Sequence, residues 1–156
     1  MKINIVCVGN IKEKYFLDAC DEYLKRLSKF HSITVTEVAE EKLGKNANAG
    51  DIDKVKEKES ERIEKHLKGH TILLDVKGAK YTSEEFSKKL DNLQNTTSTI
   101  TFVIGGSYGV SEYFKNKCDD KLSFSAFTFP HQLMRVILLE QIYRATTISN
   151  NITYHK

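Results

Sequence analysis

Apolar residues along this chain fall into two alternating patterns. Short dense runs alternate with longer stretches in which apolar side chains recur every three or four positions. INIVCV, Ile3 to Val8, is nearly continuous and ends at Gly9, as expected of a strand covered on both faces. KEKYFLDACDEYLKRLSKF then spaces Phe16, Ala19, Tyr23 and Leu27 on one side, which predicts an amphipathic helix. ITVTEV, Ile33 to Val38, alternates β-branched residues and predicts a second strand. EEKLGKNANAG reads as a polar loop, and a charged helix follows from about Asp51 to Leu67, with Asp51 as its cap.

The same alternation continues to the end. TILLDV, Thr71 to Val76, predicts a buried strand stopped by Lys77-Gly78, and TSEEFSKKLDNL a helix capped by Thr82 or Ser83. STITFVIGG, Ser98 to Gly106, is the strongest strand pattern. A short helix, SEYFKNKC, and a strand, KLSFS, precede a last helix that starts just after Pro130 and runs to about Ile148. Regular alternation of strand and helix predicts an α/β fold with a mainly parallel sheet flanked by helices. No repeat or linker divides it, so residues 1–156 form one domain.

Charge changes the picture only once it is located. The chain carries 24 Lys/Arg and 21 Asp/Glu, but residues 121–156 hold four of the bases (Lys121, Arg135, Arg144, Lys156) and one acid, Glu140. The remaining residues are balanced at 20 of each. An excess confined to the C-terminal segment suits an anionic partner such as nucleic acid, although scattered surface lysines would give the same net charge. The N-terminus lacks a signal-peptide pattern and no apolar run approaches the ~18 residues of a membrane span, so a cytoplasmic protein is expected. Cys7, Cys20 and Cys118, odd in number and set in apolar or helical patterns, read as reduced buried thiols. No Cys/His cluster has ligand spacing, and no metal is expected.

Ligands of open α/β sheets bind beyond the carboxyl ends of the strands. Three such ends here are unusual: LLDVKG, IGGSYG and LSFSAFTFP. The pair Gly105-Gly106 would let backbone approach a ligand, yet GGSYG fits neither a dinucleotide fingerprint nor a phosphate loop and equally suits a tight turn. Pro130, the single proline, fixes its own φ, biases Phe129 toward extended backbone and suits the first turn of a helix. The loop before it, Ser125, Ala126, Phe127, Thr128 and Phe129, can present main-chain donors and acceptors between apolar walls. That arrangement suits an adenine ring; the alternative is that the rings simply fill the core.

The last helix contains Val136, Ile137, Leu138 and Leu139 in succession, leaving no polar side on that turn. A helix apolar all round needs cover on more than one side, and a second subunit is the natural source. Glu140 and Arg144 are spaced to pair. Arg135 has no such partner and is a candidate phosphate contact, unless it is merely solvated. The tail TYHK either frays or brings Tyr154 to stack on RNA, with His155 and Lys156 as contacts.

Taken together, VGNIKEKY, FVIGGSYG, LSFSAFTFPHQLMRVILLEQIYRA and the terminal YHK resemble the bacterial large-subunit ribosomal RNA pseudouridine N3-methyltransferases of the SPOUT class. The resemblance runs from Met1 to Lys156. It implies a SPOUT-type sheet with a C-terminal trefoil knot, a rarity among protein topologies, a homodimer, and S-adenosylmethionine as methyl donor. Carried over by motif, the cofactor contacts fall on Leu74, Gly106 and the loop Ser125 to Pro130. The implied substrate is 23S ribosomal RNA within the large subunit or the 70S ribosome. Transfer RNA as target, or a non-catalytic dimer that binds cofactor and RNA, are the alternatives.

Histidine is the one side chain in the tail whose ordinary titration lies near neutrality. His155 from one subunit, with Arg144, is therefore expected to serve catalysis at the other subunit's cofactor site, while Arg135, Tyr154 and Lys156 hold RNA. Two positions depart from the family pattern. Tyr108 stands where small polar residues are common, and Asn150 or Asn151 stands where glycine often precedes the last residues; asparagine tolerates left-handed φ better than most.

Overall fold

The computed structural model describes residues 1–156. Five strands, β1 (Lys2–Val8), β2 (Ser32–Val38), β3 (His70–Ala79), β4 (Thr99–Ile104) and β5 (Asp120–Leu122), form one sheet in the order β2-β1-β4-β3-β5. Every pairing is parallel. The helices are α1 (Lys14–Leu27), α2 (Ala49–Glu64), α3 (Ser83–Thr96), α4 (Glu112–Lys117) and α5 (His131–Ser149). None is long and apolar enough to cross a membrane.

Alternation along the strands divides the core. Ile3, Ile5 and Cys7 of β1 and Ile100, Phe102 and Ile104 of β4 pack with Cys20 of α1, Phe86 and Leu90 of α3, and Leu138, Leu139 and Ile142 of α5. Val6, Val8, Leu73 and Val103 point the other way, onto Ile63 of α2 and Phe114 of α4. The result is three layers, with the dense strand runs explained by burial on both sides.

Local signals set most boundaries. Thr82 caps α3, accepting the Glu85 N–H while the Glu85 carboxylate accepts the Thr82 N–H. The same box caps α2, but its cap is Asn48 and Asp51 is the third helical residue, so the helix starts two residues before the expected Asp51. β3 does not stop at Lys77-Gly78. It continues to Ala79 because it turns irregularly past β5, where a Cβ on Gly78 would lie 2.7 Å from the Leu122 backbone. β5 in turn ends at Leu122, short of the expected Ser125, as Ser123 donates to the Ala79 carbonyl and its hydroxyl to the Ser125 carbonyl.

The chain itself covers part of the last helix, and the expectation for Arg135 needs correction. The apolar helix α5 lies between α1 and α3, and Leu138, Leu139 and Ile142 are fully buried by their own chain. A second subunit is not required to cover them, although Leu133, Val136 and Ile137 remain half-exposed. Arg135 is not unpaired. It is buried, its guanidinium lies 2.5 Å from a Glu37 carboxylate oxygen, and it donates to the Gly9 carbonyl. It ties α5 to the ends of β1 and β2, and its head group is not offered to solvent.

Cys7 and Cys20 are buried and Cys118 half-buried, all three free. Burial pushes the Cys7 thiol up to about 12, so it carries no nucleophilic thiolate near neutrality.

Candidate active site

At the carboxyl ends of β3, β4 and β5 lies a cavity of about 320 Å³, within the usual span for small-molecule sites. It gathers the three strand ends singled out in the sequence. Leu74 comes from β3, Gly106 from the turn after β4, and Ser125, Phe127, Thr128 and Phe129 from the loop after β5. Ala126 and Pro130 belong to the same loop but do not line the cavity. Pro130 is the cap residue of α5, just outside the helix, and its carbonyl accepts the first helical bond from Met134.

The loop is held by its own hydroxyls. Ser125 Oγ accepts from the Phe127 N–H at 3.0 Å, and Ser123 Oγ donates to the Ser125 carbonyl at 3.1 Å. Phe127 is 78% exposed, so the alternative in which these rings simply fill the core does not hold for it. An aromatic side chain left in solvent at the lip of a cavity is a surface waiting for a partner group.

The glycine turn serves packing as much as access. Gly109 donates to the Gly106 carbonyl at 2.9 Å and has φ +78°, which closes a tight turn. A Cβ on Gly106 would overlap Glu59 Oε2 and lie 3.1 Å from Val8. Glycine at 106 therefore makes room for a side chain of α2 rather than only for a ligand. Glu59 is 2% exposed; Oε1 accepts the Glu41 N–H at 2.9 Å and Oε2 has no partner. Burial raises its carboxyl above the ordinary range, against the opposing effect of the Glu41 bond.

A second constellation sits on α5 and the tail. Arg144 pairs with Glu140 as the spacing predicted, 2.5 Å apart, and the Tyr154 hydroxyl donates to the same Glu140 oxygen at 3.0 Å. The Tyr154 ring packs edge-on against Tyr143 and lies 4.8 Å beneath the Arg144 guanidinium. His155 Nε2 lies 2.8 Å from Glu84 and Nδ1 lies 3.3 Å from Arg144. Arginine can only donate, so Nδ1 accepts and Nε2 carries the hydrogen bonded to Glu84. Glu84 is held down to about 2 by its own N–H and by the His155 and Thr82 bonds.

The tail is thus docked, and the turn that docks it uses Asn151 at φ +54°, the left-handed asparagine anticipated from the sequence. Lys156 is exposed. Within one chain, none of Arg144, Tyr154, His155 or Lys156 lines the cavity. The structure thus brings together the expected cofactor residues, and separately the expected catalytic and tail residues. Sequence reading missed Glu59, Asp75 and Lys115. Asp75 sits in LLDVKG, where an acid at a buried strand's end was the available signal; Lys115 and Glu59 looked like ordinary helix-surface charges.

Known proteins share this arrangement of sequence over its whole length. Residues 1–155 match the family model described as predicted SPOUT methyltransferase. Similar curated proteins include "Ribosomal RNA large subunit methyltransferase H" of Clostridium botulinum (strain Kyoto / Type A2), 52% identical over 100% of both chains. Proteins of the same name from Fusobacterium nucleatum and Lactobacillus acidophilus are 49% and 47% identical, again over the full length of each. An all-parallel sheet with its cavity at the strand ends, and a family match spanning nearly every residue, agree: the chain belongs to the SPOUT methyltransferase family.

Proposed function

We propose that this protein transfers a methyl group from S-adenosylmethionine to N3 of a pseudouridine in 23S ribosomal RNA, within the large subunit or the 70S ribosome. The observation that carries the reading is the cavity formed by Leu74, Gly106 and the Ser125–Phe129 loop, in a chain whose relatives are named for large-subunit ribosomal RNA methylation. Main-chain groups of a short loop beside Phe127, Phe129 and Leu74 fit a flat heterocycle with polar edges. The cofactor, when bound, supplies a methyl already activated on a sulfonium.

The chain's own residues then have to align and deprotonate. Holding a nucleophile in line at about 3–3.5 Å lowers a barrier by ~7–11 kcal/mol, and the loop braced by Ser123, Ser125 and Pro130 is the rigid element for that task. The N3 proton needs an acceptor. His155 is the group in this reading: its Nε2–H stays on Glu84 and its Nδ1 takes the N3 proton once Arg144 turns from it toward the RNA, with Tyr154 and Lys156 holding RNA.

Because the tail does not reach its own cavity, the reading requires a homodimer in which one protomer's tail completes the partner's site. Leu133, Val136, Ile137, Glu140 and Arg144 follow one another at helical spacing on α5, and none is fully buried; that face supports such a seam. A knotted threading of the C-terminal segment belongs to the same reading, supported by the family match over residues 1–155. Calorimetric titration with S-adenosylmethionine, run beside sedimentation analysis, tests it. Saturable binding by a dimer is expected; a monomer that binds no cofactor would refute it.

A further inference from the structure

Apart from His131, only two ionisable side chains line the cavity, and they carry opposite charges. Asp75 stands on β3 directly after Leu74, and Lys115 on α4. Asp75 Oδ1 accepts the Lys77 N–H at 2.9 Å, whereas Oδ2 lies 3.4 Å from Lys115 Nζ. A charge-assisted bond is ordinarily about 2.7–2.9 Å, so Oδ2 has no close donor, in a side chain only 11% exposed. Lys115 also reaches Glu112 at 3.2 Å, but that carboxylate is 81% exposed and readily returned to water. Burial alone would raise the Asp75 carboxyl; the Lys77 N–H and the Lys115 charge outweigh it and hold it below the usual carboxylate range. Both groups are therefore charged at neutral pH.

A wall carrying one cation and one anion, loosely joined and poorly hydrated, suits a ligand that also carries both signs on neighbouring atoms. Ribose hydroxyls would use the carboxylate and leave the ammonium idle. A phosphate would meet Lys115 but be repelled by Asp75. An α-amino acid head satisfies both: its ammonium donates to Asp75 Oδ2 and its carboxylate accepts from Lys115 Nζ. We infer that Asp75 and Lys115 form the subsite for the α-ammonium and α-carboxylate of a nucleoside-linked amino acid, and that this pair excludes 5′-phosphorylated adenosines. The inference rests on the reading that the cavity takes S-adenosylmethionine, and it names two specificity residues outside the loop and glycine turn.

The test is calorimetry on the full chain with three ligands: S-adenosylmethionine, its decarboxylated form, and 5′-methylthioadenosine, which lacks the amino acid head. Lys115→Met preserves side-chain length, and Asp75→Asn keeps the acceptor for the Lys77 N–H. Lys115→Met should weaken S-adenosylmethionine roughly tenfold or more, as expected for a lost charged hydrogen bond, and leave the other two within twofold. Asp75→Asn should weaken S-adenosylmethionine and its decarboxylated form, and spare methylthioadenosine. Equal losses for all three ligands, or no loss for any, while the wild type binds normally, would overturn the subsite alone. A wild type that binds none of them would overturn the cofactor reading as well. Melting temperatures identify a misfolded variant, and Lys115→Arg, which should retain most affinity, then carries the comparison.

Discussion

The buried carboxylate of Glu59 lies against the α-carbon of Gly106, so closely that any side chain at 106 would displace it. One contact thereby joins α2, the loop after β2 through the Glu41 N–H, and the glycine turn that lines the cavity. Gly106→Ala should cost about 1–3 kcal/mol of stability, the usual range for overpacking a close-packed site. It should also weaken cofactor binding. Glu59→Ala in the same chain should return part of the stability, a coupling of ~0.5–3 kcal/mol measurable by denaturant unfolding of the single and double variants. Strict additivity would mean that the two residues do not meet.

Glu59 also gives stability a definite dependence on pH. Its carboxyl is raised from the ordinary 4.5 in the folded chain, so the folded state holds this proton more tightly than the unfolded state does. The contribution is therefore fully present below 4.5 and is lost as pH rises through the folded value. Glu59→Gln cannot ionise. The melting temperature of wild type minus that of Glu59→Gln should fall as pH is raised from 4 toward 8 on a grid of about one unit. A flat difference would contradict a buried carboxyl whose Oε2 has no partner.

Arg135 belongs to the framework. Removing one partner of a buried pair ordinarily costs ~3–5 kcal/mol, but Glu37 is 40% exposed and can rehydrate. Arg135→Met should thus lose about 1–3 kcal/mol in urea unfolding, since only part of that penalty remains. No change in stability would show that the guanidinium does not hold α5 to β1 and β2.

The tail should affect turnover and leave cofactor binding alone. His155→Ala should lower methyl transfer by about 10²–10⁴-fold, the usual contribution of a positioned acid–base group, while the affinity for S-adenosylmethionine stays within twofold. Tyr154→Phe removes only the hydroxyl bonded to Glu140 and keeps the ring between Tyr143 and Arg144. It should cost no more than ~1.5 kcal/mol in stability. Full turnover by His155→Ala on saturating ribosomes would remove His155 from the reaction.

The strands and helices were legible because burial writes itself into spacing. Ile3 to Val8 and Ile100 to Ile104 could only be covered on both sides, and Thr82 with Glu85 announced the start of α3. The end of β3 failed because a distant segment decided it: the strand continues past Gly78 because β5 passes beside it, and no local pattern encodes that neighbour. The start of α2 failed locally, because Asp51 is the third residue of a capping box whose cap is Asn48. Arg135 looked unpaired because its partner, Glu37, stands 98 residues earlier. The loop before Pro130 was a candidate because a single proline, several aromatics and small hydroxyl residues concur there. Its sequence suited core filling equally, and only the exposure of Phe127 in the fold decides between them. Lys115 and Glu59 could not be singled out, since lone charges in a chain rich in them carry no mark of where the fold will place them; Asp75 offered one signal, an acid at a buried strand's end.

Methyl transfer to the ribosome is the activity proposed for this cavity. Ribosomes from a strain lacking the modification, incubated with the protein and labelled S-adenosylmethionine, test it most directly when the labelled nucleotide is then mapped. Label is expected at N3 of a pseudouridine in 23S ribosomal RNA, reduced by Gly106→Ala and His155→Ala. Label confined to another RNA, or none although the protein binds the cofactor, would contradict it.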